Sequence, residues 1–131
     1  MRKFLFAIAL TLSMAHAFNL QAQTVDIYPV PQEIKWGQEV AFCNNTGYAI
    51  TGEDTADADA VNLFKKSLNT DGGEVEVIMG ERGDEAVAAY ESLIPQKTEG
   101  YYLAVEKGKV VIAGNDGSGT FYGVQTFLQM A

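Results

Sequence analysis

Two runs near the C-terminal end, Tyr101 to Glu106 and Lys109 to Ala113, are apolar at both odd and even positions and are joined through Lys107-Gly108. A two-residue link containing glycine suits a tight hairpin. Strands with no polar face belong in the middle of a sheet that is covered on both sides. Any fold for this chain must therefore supply a central hairpin, further strands beside it, and a layer on each face.

The preceding residues offer those layers in alternation. Gly47-Tyr48-Ala49-Ile50-Thr51 reads as a strand, and from Asp54 to Asn69 the period turns helical, with Val61, Phe64 and Leu68 on one face. Asp54, Asp57 and Asp59 at the start and Lys65 and Lys66 towards the end both suit the helix dipole. After Asp71-Gly72-Gly73, Val75, Val77 and Met79 alternate with Glu74, Glu76 and Ile78 as a second strand. Gly83-Asp84 then opens a shorter helix with Val87, Tyr90 and Ile94, stopped by Pro95. Strand, helix, strand, helix is the rhythm of an α/β domain with a mixed sheet and about three helices.

Thr120 to Met130 reads as the last helix, after the turn cluster Gly114 to Gly119. Phe121, Tyr122, Val124, Phe127, Leu128 and Met130 leave it almost no polar face, so it is expected to be buried on more than one side. Neither a capping glycine nor a terminal basic residue follows, and the polypeptide is expected to continue beyond Ala131.

The other end reads as an export signal: Arg2 and Lys3, an apolar run from Phe4 to Leu12 broken only by Thr11, then small residues at Ala15 and Ala17. The apolar run is about half the ~20 residues that a spanning helix needs. Cleavage after Ala17 or after Ala22 both fit, so residues 1–22 are assigned to the signal and 23–131 to a single domain that is periplasmic, cell-surface or extracellular. No cysteine follows either site, which disfavours a lipid-modified signal. Residues 25–42, with Pro29 and Pro31, form an extended leading segment that cannot be a central strand.

Removing residues 1–22, which carry Arg2 and Lys3 and no acid, moves the formal charge from -8 to -10. That acidity argues against nucleic acid or anionic membrane as partner, since both require clustered Lys and Arg. His16, the only histidine, leaves with the signal. Catalysis by Ser-His-Asp or Cys-His and His-ligated zinc leave with it. Cys43, the single cysteine, reads as a small buried hydrophobe and cannot make an intrachain disulfide.

Motifs with chemical potential are few, and each has a plainer explanation. Gly117-Ser118-Gly119 precedes a helix, but the dinucleotide pattern would need glycine at Tyr122 and no Gly-Lys-Ser/Thr follows. Asp57-Ala58-Asp59 opens like a calcium loop and lacks the rest of one. Glu53 with Asp54, or Asp84 with Glu85, are the available carboxylate pairs for glycoside chemistry, but at helix starts they have a capping and dipole role. No catalytic, cofactor or metal position is assigned. Trp36, beside Gly37, is the best candidate for a glycan contact, while most of Tyr28, Tyr101, Tyr102 and Tyr122 are placed in the core by periodicity. Asn44-Asn45-Thr46 fits the N-glycosylation pattern.

Three segments together carry a resemblance: Tyr28-Pro29-Val30-Pro31-Gln32, then Gly83-Asp84 through Ile94-Pro95 to Gly100-Tyr101-Tyr102-Leu103, and Ile112 through Gly117-Ser118-Gly119-Thr120-Phe121-Tyr122-Gly123 to Phe127. This resembles the N-terminal domain of bacterial glycoside hydrolase family 84, the β-N-acetylglucosaminidases. The final Gly-x-Phe-Tyr-Gly-x-Gln-Thr pattern is also similar to the pre-barrel domain of family 20 β-hexosaminidases, and the match over 83–103 favours family 84. The resemblance implies a small α/β domain in front of a (β/α)₈ barrel. It also implies, for the complete protein, removal of terminal β-linked N-acetylglucosamine with the substrate's own acetamido group as nucleophile. The two carboxyl residues that such chemistry uses would lie on barrel loops, and a barrel needs roughly 200 residues or more. None of them maps onto this sequence. The expectation is a non-catalytic structural domain of an exported glycosidase whose partner is its own catalytic barrel, with no cofactor. The rival is a free-standing carbohydrate-binding module.

Overall fold

The computed structural model describes residues 46–130 with their side chains, and the backbone of four short strands at 2–5, 8–9, 33–34 and 39–42. The expected hairpin is its centre. Strand β7 (Tyr101–Glu106) pairs antiparallel with β8 (Lys109–Gly114), from Tyr101 opposite Gly114 to Glu106 opposite Lys109. Gly108 turns the link with φ +79°, a conformation that costs glycine nothing. On its other side β8 pairs parallel with β6 (Val75–Glu81), which pairs parallel with β5 (Tyr48–Thr51).

Backbone strands β2 (Ile8–Ala9) and β3 (Glu33–Ile34) extend the β7 edge, giving the order β3-β2-β7-β8-β6-β5. Strands β1 (Arg2–Leu5) and β4 (Glu39–Phe42) form a separate antiparallel pair. Of the segment read as an export signal, only the backbone of β1 and β2 is described. Both cleavage sites, Tyr28, Trp36, Cys43, Asn44 and Asn45 lie outside the described residues.

Alternation along the central strands divides their side chains between two layers. Tyr101, Leu103 and Val105 of β7 and Val110 and Ile112 of β8 join Val75, Val77 and Met79 of β6 in the larger core, under both α-helices. Ala104 of β7 and Val111 and Ala113 of β8 point to the opposite face, where Val87 and Ile94 cover them. The hairpin is thus covered on both sides, as its composition requires.

Helix α1 (Ala58–Ser67) is shorter than its periodicity suggests. The amides of Thr55 and Ala56 both bond to the Gly52 carbonyl, at 3.2 and 3.0 Å, which keeps Glu53 to Ala56 in a turn. Asp57 is the N-cap, accepting from the Ala60 amide at 3.0 Å. The helix buries Ala60, Val61 and Phe64, carries Lys65 and Lys66 in its last turn, and closes with the Leu68 amide on the Phe64 carbonyl.

The segment expected to be a second α-helix is a 3₁₀ helix, Glu85–Leu93. Amide bonds at its two ends, Val87 to Asp84 and Ile94 to Glu91, span three residues. Two features account for the difference. Val87 is the one fully covered side chain within it, so there is little apolar stripe to reward an α-helical period. Asp84, at the capping position, makes no cap bond and accepts instead from the Glu81 amide at 2.8 Å.

The last helix, α2 (Gly117–Met130), begins three residues before the position expected from the glycine cluster. Asp116 is responsible: one carboxylate oxygen accepts from the Gly119 amide at 2.8 Å and the other from the Glu99 amide at 3.0 Å. Glycine lets this helix approach the sheet closely. A Cβ at Gly123 would lie 2.7 Å from Ile112 Cγ2, and one at Gly119 would run into the Gly100 carbonyl.

The α2 face turned to the sheet and α1 buries Val124, Phe127 and Met130 together with the hydroxyls of Thr120 and Thr126. Thr126 pairs with the buried Tyr101 hydroxyl at 2.6 Å, and Thr120 donates to the Gly80 carbonyl at 3.0 Å. Phe127 stacks on Phe64 at 5.9 Å between centroids, and Tyr48 meets both rings edge-on at 5.5 and 6.1 Å. The expectation of burial on more than one side holds only in part, because Phe121, Tyr122, Gln125, Leu128 and Gln129 are half-buried.

Candidate functional site

The two α-helices start side by side at the end of β6, and an open cleft of about 230 Å³ lies between their first turns. Asp57 and Asp59 of α1 line one wall, and Gly117, Ser118, Phe121 and Tyr122 of α2 line the other. Phe121 and Tyr122 meet edge-on with centroids 6.3 Å apart. Gly117 is needed because a Cβ there would lie 2.7 Å from Asp57 Oδ1.

Below the cleft, Glu81 ties the sheet to α1. Its Oε2 accepts from the Asp57 amide at 3.0 Å, while its own amide donates to Asp84 Oδ2. Burial pushes the Glu81 carboxyl above the ordinary glutamate value. The Asp57 amide and the Thr120 hydroxyl pull it back, and the charges of Asp84 and Asp57 act in the same direction as burial.

The sequence-derived candidates are scattered rather than assembled. Glu53 is engaged in an exposed ion pair with Lys65 at 2.9 Å. Asp84 holds the Glu81 amide, and Glu85 is exposed in the first turn of the 3₁₀ helix. Asp57 caps α1, and no group of three metal-ligating side chains occurs among the described residues. At Gly117-Ser118-Gly119 an amide of the α2 first turn is already taken by Asp116, which leaves the phosphate reading without support. Tyr101 is buried, as its period implies, while Tyr102 stacks on Tyr90 at 6.3 Å on the other face. Trp36, the proposed glycan contact, lies outside the described residues.

Sequence reasoning missed Glu81 and Asp116. Both follow apolar strands, and the usable signal was position: each stands where a strand ends and a helix or turn begins, with glycine immediately before Glu81 and after Asp116. An acid at such a place has backbone amides to hold.

Chemically, the cleft can offer carboxylate acceptors, a serine hydroxyl and aromatic edges, a set suited to polyhydroxylated ligands. It assembles no nucleophile, base and oxyanion donor.

Comparison with known proteins fixes the context. The family model described as "Glycosyl hydrolase family 20, domain 2" matches residues 24–131. Among solved structures, CpGH84B matches with a TM-score of 0.59 and 27% sequence identity over 81% of this chain. The chain spans 20% of that protein's length. Both glycosidase families named by the sequence resemblance are thus represented, and the chain belongs to the glycosyl hydrolase family 20 domain 2 family.

Proposed function

We propose that this chain is the non-catalytic α/β domain that precedes the catalytic barrel of an exported β-N-acetylglucosaminidase or hexosaminidase, and that its work is to support that barrel. In this reading the complete enzyme removes terminal N-acetylglucosamine by the substrate-assisted retaining route, with both catalytic carboxyl groups on the barrel. In the same reading residues 1–22 are an export signal and the enzyme works outside the cytoplasm.

One observation carries the supporting role. The outer side of α2 keeps Phe121, Tyr122 and Leu128 half-exposed although they pack against the main core. Single exposed apolar residues are ordinary, but three of them on one helix mark a surface that gains from being covered. The match to a glycosidase domain family, and the fifth of CpGH84B that the chain spans, support the remainder of the same enzyme as the partner.

The test is to express the domain and the barrel of the complete protein as separate polypeptides and assay hydrolysis of an aryl N-acetylglucosaminide. The domain alone should be inactive, the barrel alone unstable, and the mixture active. Phe121→Glu and Leu128→Glu together should abolish the rescue. A barrel that is stable and fully active without the domain overturns the proposal.

The cleft between the helix starts favours a second reading, a carbohydrate-binding module. Titration with N-acetylglucosamine oligosaccharides separates the two. The supporting role expects no saturable binding, whereas a module expects binding that is lost on Tyr122→Ala.

A further inference from the structure

We propose that the turn Asp71-Gly72 is a site of covalent self-modification, where the main chain rearranges to isoaspartate through a cyclic imide, while the fold holds the other Asp-Gly pair, Asp116-Gly117, unreactive. The chemistry needs no reactant beyond water. The Gly72 amide nitrogen attacks Cγ of the neutral Asp71 carboxyl: an N–Cγ bond forms, the bond to the carboxyl OH breaks, and that hydroxyl leaves with the amide proton as water. Water then adds back at either carbonyl of the ring. Breaking the new N–Cγ bond restores aspartate. Breaking the original bond between nitrogen and the Asp71 main-chain carbonyl leaves the chain running through the side chain, with a free α-carboxylate and one extra main-chain carbon. Glycine hinders the attack least, since no Cβ stands beside its amide.

The two pairs differ in whether the reacting groups are free to meet. Asp71 and Gly72 are both exposed, in the turn between α1 and β6. Among the described residues, neither the Asp71 carboxylate nor the Gly72 amide has a hydrogen bond; Asp71 uses only its own amide, which donates to Asn69 Oδ1 at 3.1 Å. Gly72 has φ +92°, and a Cβ there would meet nothing within 4 Å, so the space around the reacting groups is open.

Asp116-Gly117 is the same dipeptide in the opposite condition. Both Asp116 carboxylate oxygens accept amides, from Gly119 at 2.8 Å and from Glu99 at 3.0 Å, and the Asp116 carbonyl accepts the Thr120 amide at 3.0 Å. Gly117 is the first residue of α2, and a Cβ there would lie 2.7 Å from Asp57 Oδ1. A carboxylate held by two charge-assisted bonds cannot turn its Cγ onto the following amide without giving up the start of the helix.

Anchors on either side of Asp71-Gly72 give the rearrangement a structural consequence. The Asn69 carbonyl accepts the Tyr48 amide at 2.9 Å, and the Gly47 carbonyl accepts the Val75 amide at 3.3 Å. Between them Gly73 crosses Gly47 so closely that a Cβ on Gly73 would strike the Gly47 backbone. An added main-chain carbon at residue 71 falls between these points, and the start of the β5–β6 pairing, at Tyr48 and Val75, must take up the extra length.

Ageing the whole chain at neutral pH and physiological temperature tests the site. Isoaspartate, read by peptide mapping with electron-transfer fragmentation after digestion in mild acid, should accumulate several-fold faster at Asp71 than at Asp116. In concentrated guanidinium chloride the two rates should converge, because both pairs then present the same unhindered glycine amide. Asp71→Glu, a change at an exposed side chain that closes the ring poorly, should remove most of the isoaspartate from the aged folded chain. Formation at Asp116 as fast as at Asp71 in the folded chain, or none at Asp71, overturns the proposal. A ratio that denaturant leaves unchanged overturns it too, since the difference would then belong to the flanking residues rather than to the fold.

Discussion

The two faces of one sheet are built on different principles. Under α1 and α2 lies a core of large side chains, in which Phe64, Phe127, Tyr48, Tyr101, Met79, Leu103 and Ile112 are all buried. The opposite face of the same strands buries Ala104, Val111 and Ala113 beside the partly buried Ile78 and Tyr102, and its cover is a single 3₁₀ helix that contributes Val87 and the partly buried Tyr90, with Ile94 just beyond its end. Fewer and smaller side chains are fully buried on this thin face, so it removes less apolar area from water. The face with two helices therefore holds the fold together, while the other face need only be kept dry. Since burial is worth roughly 25 cal/mol per Å² of apolar surface, the inequality should be measurable residue by residue.

The sharpest test of the dominant face is Phe127→Ala. Phe127 is fully buried, stacks on Phe64 and meets Tyr48 edge-on, so its removal opens a cavity where both helices and the sheet meet. The expected loss is about 3–5 kcal/mol, read as a fall in the urea midpoint with little change in slope. A loss below about 1 kcal/mol would mean that this cluster is not the centre of the fold.

On the thin face the matching change is Val87→Ala, with an expected cost of about 2 kcal/mol. Its location should differ as well as its size. Amide exchange ought to accelerate around residues 85–94 while α1 and α2 stay protected, since a lightly packed unit opens by itself. Equal acceleration in the helices would show that the faces are one cooperative unit, and the distinction drawn above would fail.

How much of this was readable beforehand depended on whether a pattern recorded burial or competition. The hairpin at 101–114 was legible because apolar residues at every position leave no choice but a doubly covered sheet, and Gly108 marked its turn. Helix α1 was legible in its middle, where Val61 and Phe64 share a face. Its start was not, because Asp54, Asp57 and Asp59 look alike as caps and only the Gly52 turn selects Asp57. The 3₁₀ segment differs from the expected α-helix because Val87 and Tyr90, three residues apart, suit either helical period, and Ile94, which completes the α-helical pattern, lies just beyond the segment's end. The cleft was half legible. Asp57-Ala58-Asp59 and Gly117-Ser118-Gly119 stand out as separate motifs, but their meeting depends on the parallel order of β5, β6 and β8, which sets the starts of α1 and α2 side by side. Glu81 carried no sequence signal apart from its place at a strand end.

A smaller effect separates polar from apolar contributions on the dominant face. Tyr101→Phe keeps the ring and removes a hydroxyl that pairs with Thr126 at 2.6 Å in the buried layer between β7 and α2. The Thr126 hydroxyl is then left buried with one partner fewer, at an expected cost of about 1–2 kcal/mol. Tyr101→Phe combined with Thr126→Val should recover part of that loss, because removing both partners leaves neither unsatisfied. Failure to recover would show that Thr126 has another acceptor to turn to, and that the pair matters less than its short distance suggests.

The smallest effect belongs to Leu93, the large hydrophobic residue left 49% exposed at the end of the 3₁₀ helix. If the thin face needed every apolar contact it could make, Leu93 would be tucked beneath the segment beside Val87; instead it stands clear, and Ile94 takes the buried place at 3% exposure. Leu93→Gln should therefore change stability by no more than about 0.5 kcal/mol, as surface substitutions generally do. A cost approaching that of Val87→Ala would place Leu93 within the cover, and the thin layer would be thicker than its buried residues imply. An unchanged urea midpoint alongside a clear loss in Val87→Ala would place Leu93 outside the cover and leave the work of this face to Val87, Ile94, Tyr90 and the strand residues beneath them.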